Sequence, residues 1–177
     1  MKTLVIHPED SSTGFLAPIY NNIKNPTVVT KNKNRQEILE YIKNHDRIIM
    51  LGHGSSYGLF GIQFDDTFVI DANCVESLRG KDNIYIWCNA DKFVEHHRLE
   101  GFYSGMFISE VSEAIFCGVK NFNVDDVDTS NRYFTYLVST VVSSHSRQIY
   151  ESVKPAYEAF AAVNKIAKYN SERLYLA

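Results

Sequence analysis

Two stretches decide the fold: Arg47-Ile48-Ile49-Met50-Leu51-Gly52-His53-Gly54 and Asn83-Ile84-Tyr85-Ile86-Trp87-Cys88. Each is a short apolar run with little polar alternation. A strand covered on both faces reads this way, because neither face needs water. One run ends in a glycine-flanked histidine and the other in a cysteine.

Working outward, Thr3 to His7 and Thr27 to Thr30 are further short runs rich in β-branched residues, read as strands. Asn34 followed by Glu37 predicts a capping box for a helix bearing Ile38, Leu39, Tyr41 and Ile42. Between the two deciding stretches, Leu59 to Phe64 and Thr67 to Ile70 flank Asp65-Asp66, which predicts a β-hairpin insertion. Asp71 can then cap a short helix with Val75 and Leu78, stopped at Gly80.

Beyond Cys88, Asn89 to Gly105 reads as polar and irregular. Phe107, Ile108, Val111, Ala114 and Ile115 form a helical stripe ending at Gly118, and Val119 to Val124 reads as a fifth strand. A helix starting at Asp128 or Thr129 carries Phe134, Leu137, Val138, Val141 and Val142. A last helix runs from about Arg147 to Tyr169, with a kink or start near Pro155.

Strands alternating with helices predict an α/β fold, a three-layer α/β/α sandwich with a mainly parallel sheet. Ligands in such sheets bind beyond the carboxyl ends of the strands. That rule singles out the loops Pro8 to Gly14, Lys31 to Asn34, Gly52 to Gly58 and Asn89 to Gly105.

Composition narrows the function classes. A length of 177 residues suits a single domain spanning 1–177, and an apolar fraction of 45% can fill its core. Apolar runs fall well short of the roughly 18 residues of a membrane helix, and Met1 to Ile6 looks like a core strand rather than a signal peptide. Net charge is −3 and Lys31-Asn32-Lys33-Asn34-Arg35 is the densest basic cluster. A broad basic face is missing, so no nucleic-acid partner is expected. Cys74, Cys88 and Cys117 are too widely spaced for a disulfide framework or a zinc site. A reducing, cytoplasmic location is the expectation, with no membrane partner, no metal and no cofactor.

His53 directly follows one strand and Cys88 closes the next. If the two are neighbours in the sheet, their ends lie about 4.8 Å apart, and imidazole and thiol could then face each other across one cleft. The thiolate is the nucleophile, a nearby imidazolium lowers the thiol pKa, and the imidazole can later protonate a leaving amine. Gly54 permits close backbone approach, and its N–H could face a developing oxyanion. Each residue also has a plainer reading: Cys88 as a small core residue, His53 as a turn histidine bonding backbone.

Residues 48 to 54, Ile-Ile-Met-Leu-Gly-His-Gly, and residues 84 to 88, Ile-Tyr-Ile-Trp-Cys, resemble the two strand blocks of the caspase-like cysteine peptidases, a group that includes caspases, gingipains, clostripain, legumain and separase. In element order the resemblance spans roughly residues 1 to 165, including Ser104-Gly105-Met106 and the helix near Ala156 to Ala162. It implies His53 as general acid/base, Cys88 as nucleophile, and the amides of Gly54 and Cys88 as the oxyanion hole. The partner it implies is a peptide or protein substrate. The family's first substrate pocket draws on the end of the first strand. There Asp10 could attract a Lys or Arg side chain, or simply make a turn with Ser11 and Ser12. Two positions depart from the family frame: Trp87 stands where a small residue is usual, and Asp91 where a glycine is common. These departures favour the alternative of a catalytically inactive caspase-like interaction module. A small-molecule Cys/His hydrolase is the third reading.

Other features point less far. His96-His97 lacks partners at metal spacing. Ser55-Ser56 lacks a nucleophile elbow, and Gly52-x-Gly54 is no dinucleotide fingerprint. Cys74 and Cys117 fall on helical stripes as filler.

Overall fold

A computed structural model describes Met1–Ala177. Its strands are Thr3–Ile6 (β1), Thr27–Val29 (β2), Arg47–Leu51 (β3), Gly54–Ser55 (β4), Gly58–Phe60 (β5), Phe68–Ile70 (β6), Asp82–Ile86 (β7), Phe102–Ser104 (β8) and Leu174–Leu176 (β9). The helices are Arg35–Lys43 (α1), Val75–Leu78 (α2), Ala90–His97 (α3), Val111–Phe116 (α4), Val124–Val141 (α5), Ser146–Phe160 (α6) and Lys165–Ser171 (α7). A 3-10 helix, Gly14–Tyr20, follows the first strand.

Six strands form the main sheet in the order β2-β1-β3-β7-β8-β9. All its pairings are parallel except that of β9 with β8. The strands β4, β5 and β6 make a separate antiparallel sheet between β3 and α2. The fold is therefore α/β with a mainly parallel sheet flanked by helices.

Both faces of the sheet are buried, which is why its central strands carry no polar alternation. Leu4, Ile6, Ile48, Met50, Tyr85 and Trp87 pack with Ile38 and Ile42 of α1, Leu78 of α2 and Phe93 and Val94 of α3. On the opposite face, Val5, Ile49, Leu51, Ile84 and Ile86 meet Leu16 and Ile19 of the 3-10 helix. Phe134, Val138, Ile149 and Val153 of α5 and α6 complete that side. No helix is long and apolar enough to cross a membrane.

Three expectations need correction. Asn89 to Gly105 is not irregular: it holds α3 and β8. The helix buries Ala90, Phe93 and Val94, a one-sided stripe hidden in a polar segment. Val119 to Val124 is not a strand. Gly118 (φ 72°) and Asn121 (φ 56°) break extended backbone there, and β8 already occupies the sheet position beside β7. The final helical segment breaks at Ala161 to Asn164 rather than at Pro155, which lies inside α6. Asn164 caps the new helix by accepting from Ala167 N–H at 2.8 Å. The Asn34–Glu37 capping box forms as read, with Asn34 Oδ1 accepting from Glu37 N–H at 3.0 Å.

Candidate functional site

The β3–β7 ladder pairs Leu51 with Ile86, and Gly52 N–H donates to Ile86 O at 3.1 Å. His53 and Cys88 each stand two residues beyond that last pair, at the carboxyl ends of adjacent parallel strands. Both line one cleft, together with Thr13, Phe15, Leu16 and Phe107. The space between these side chains is only about 20 Å³, room for a single water molecule.

The chain turns sharply at both strand ends. Gly52 has φ 142°, a conformation that favours glycine. Asn89 is left-handed (φ 64°) and leads straight into α3, so Cys88 is presented on a strand–turn–helix bend. Gly54 is required by close packing: a Cβ there would lie 2.2 Å from Trp87 Cδ1 and 2.6 Å from Gly58 O. The Trp87 ring, 1% exposed, packs edge-on to Tyr85 and Phe93. Its Nε1–H donates to Ser55 O at 3.0 Å. The bulky residue before the cysteine thus packs in the core on the sheet face opposite Leu16 and Phe107 and braces the His53 turn.

His53 and Cys88 have different hydrogen-bond partners. The Cys88 thiol donates towards Phe107 O at 3.4 Å and lies 3.8 Å from Glu113 Oε1. Burial, reinforced by the Glu113 carboxylate, pushes this thiol up to about 12. At neutral pH it is a thiol and not a thiolate. Glu113 is itself fixed: Oε2 accepts from Ser109 N–H at 2.7 Å, from Ser109 Oγ–H at 3.0 Å and from Glu110 N–H at 3.1 Å. Asn170 anchors the neighbouring backbone, accepting from Ile108 N–H at 2.7 Å and donating to Ile108 O at 2.8 Å.

His53 Nε2 lies 2.6 Å from Ser12 Oγ. Asp10 Oδ1 accepts from Ser12 N–H at 2.7 Å and also contacts Ser12 Oγ. These Ser12 hydrogen bonds hold the Asp10 carboxyl below the usual carboxylate range. Asp10 Oδ1 is 3.9 Å from His53 Nε2. Asp10 lines a separate surface hollow with Glu9, Gly14 and Lys31, outside the cleft shared by His53 and Cys88. Beneath this loop, buried His7 pairs with Tyr20 Oη at 3.2 Å and Thr13 Oγ1 at 3.3 Å, and burial lowers its pKa.

Of the four loops singled out by strand polarity, Pro8 to Gly14 and Gly52 to Gly58 meet through Ser12 and His53. Lys31 instead reaches Glu9. Asp91 sits in the first turn of α3, with a buried Oδ1 that has no hydrogen-bond partner. Cys74 is buried beneath β6 and Cys117 is half-buried after α4. Ser12, Phe107 and Glu113 carry no motif in the sequence. Only their place in the fold brings them to His53 and Cys88.

Comparison with known proteins finds no matching family model, no matching curated protein and no matching solved structure.

Proposed function

We propose that this protein is a caspase-like cysteine peptidase, cleaving a peptide bond with Cys88 as nucleophile and His53 as general acid/base. The observation that carries the reading is the register of β3 and β7, which sets both residues two positions past the Leu51–Ile86 pair. Cys88 Sγ would bond to the substrate carbonyl carbon while its proton passes to the imidazole. The C–N bond then breaks, the imidazole protonates the departing amine, and a thioester remains. Water, deprotonated by His53, would release the acid and restore the thiol. The amides of Gly54 and Cys88 are the donors available to a developing oxyanion.

The geometry also sets a condition on this chemistry. A peptide needs more than about 20 Å³, so Thr13–Leu16 and Phe107–Ser109 must part before it binds. The same opening would bring solvent to Cys88 and draw it away from Glu113, relieving the burial and the negative charge that raise its pKa.

A second reading, an inactive caspase-like interaction module, is favoured by the protonated thiol and the closed cleft. A panel of short peptides with varied residues before the scissile bond separates the two. Cleavage that drops by about 10³-fold or more in both Cys88→Ala and His53→Ala supports the peptidase. Absence of cleavage, with all three thiols alkylated equally slowly and no effect of His53→Ala on Cys88, supports the module.

A further inference from the structure

We propose that Ser12 and Asp10 are positioning residues for His53, holding its proton on Nε2 and leaving Nδ1 as the basic nitrogen. The proposal rests on the Cys88/His53 reading only for its effect on catalysis; the placement of the proton stands on the hydrogen-bond geometry.

A count of protons fixes the arrangement. Asp10 Oδ1 faces both the backbone N–H and the hydroxyl of Ser12. An ionised carboxylate can only accept, and the Asp10 carboxyl is held below the usual range by these contacts. Ser12 has a single hydroxyl proton, and it is given to Asp10. The short contact of 2.6 Å between Ser12 Oγ and His53 Nε2 must therefore be donated by the imidazole. With Nε2 protonated, the lone pair of the neutral ring sits on Nδ1, which makes no hydrogen bond within the chain.

The consequence is a carboxylate–hydroxyl–imidazole relay that orients the ring and selects its tautomer. When Nδ1 takes a proton from the nucleophile, the Asp10 charge lies 3.9 Å from the opposite ring nitrogen, Nε2. Ser12 transmits that charge without making or breaking a covalent bond. This assigns Asp10 a place behind the histidine rather than a contact with a basic substrate side chain.

Two-bond ¹H–¹⁵N correlation spectra of the 177-residue chain test the relay without any turnover. His53 is assigned by the signal missing from His53→Gln. The expected spectrum shows the Nε2–H tautomer with a downfield Hε2. Ser12→Ala should lose the downfield proton and return the ring to a tautomer mixture; Asp10→Asn should weaken it; Ser12→Thr, which keeps the hydroxyl, should restore it. An Nδ1–H tautomer in the wild type, or an unchanged ring in Ser12→Ala, overturns the proposal. On a cleaved peptide, Ser12→Ala should lower kcat by about 10²-fold with KM little changed. If nothing is cleaved but the tautomer is as stated, the peptidase reading fails and the relay stands. If cleavage needs Cys88 and His53 but Ser12→Ala cuts normally with an unchanged ring, the relay fails and the peptidase reading stands.

Discussion

The indole of Trp87 lies against Gly54 so closely that a methyl group there would sit 2.2 Å from Cδ1. The strand that presents Cys88 is thereby locked to the turn that presents His53. Gly54→Ala must push both the ring and the backbone at Gly58 aside, a form of overpacking that costs about 1–3 kcal/mol. Urea unfolding should show that loss. Trp87→Ala removes the brace and should cost about 3–5 kcal/mol, whereas Gly14→Ala, with nothing within 4 Å of its Cβ, serves as the neutral control. Equal stability of Gly54→Ala and Gly14→Ala would contradict the packing account.

Cys88 should titrate late in the closed protein. Its ordinary value is 9.0, and in the fold it is pushed up to about 12. A raised acid favours the protonated form in the native state. Its contribution to stability is thus complete below about pH 9 and is lost as pH rises towards 12. Iodoacetamide labelling, read at each cysteine by mass spectrometry, should find Cys88 slow at pH 8. Glu113→Gln removes the nearby negative charge and should move the labelling profile to lower pH, though only in part, because burial is the larger cause. A profile that does not move would assign the whole effect to burial.

Asn170 should control the same thiol from a distance. Its amide makes two hydrogen bonds to Ile108, the residue after the carbonyl that faces Cys88. Asn170→Ala leaves a buried backbone N–H and C=O without partners, at a cost of about 1–3 kcal/mol for each group so stranded. Hydrogen exchange at Ile108 should rise, and Cys88 alkylation should quicken as Phe107 loosens. Faster exchange without faster alkylation would separate the two events and defeat the coupling.

The other end of the sheet supplies a stability test. Arg47 and Asp82 face each other in the β3–β7 register and are 1% and 6% exposed in their side chains. Arg47 Nε donates to Asp82 Oδ2 at 2.6 Å and Nη1 donates to Val142 O at 2.7 Å, while Ser146 N–H donates to Asp82 Oδ1 at 2.9 Å. Arg47→Met strands a buried carboxylate and should cost about 3–5 kcal/mol. Replacing both residues by Met and Leu should recover much of that loss in chemical denaturation. If the double variant is as unstable as the single, the backbone carbonyls at the end of α5 matter more than the ion pair.

The sequence by itself was enough for the α/β class, since runs such as Ile48 to Leu51 have no polar side and so need cover on both faces. It was enough too for the Asn34 capping box and for His53 and Cys88 as strand-end residues, because these signals are local and periodic. The short elements were less legible. The apolar face of α3 is diluted by Asp91, Lys92 and Glu95, and β8 and β9 have three residues each, too few for a period to show. Tertiary structure decided the surroundings of the site. Ser12 reaches His53 across forty-one positions, and Cys88 faces Phe107 and Glu113 across nineteen and twenty-five. Contacts of that span depend on strand order and helix placement, which no local pattern encodes. The sequence thus determined that a histidine and a cysteine end two apolar strands, and the sheet made those strands neighbours. Only the packed fold decided that the histidine is held by a serine and the thiol is kept protonated, because burial and partner charge are set by the whole chain.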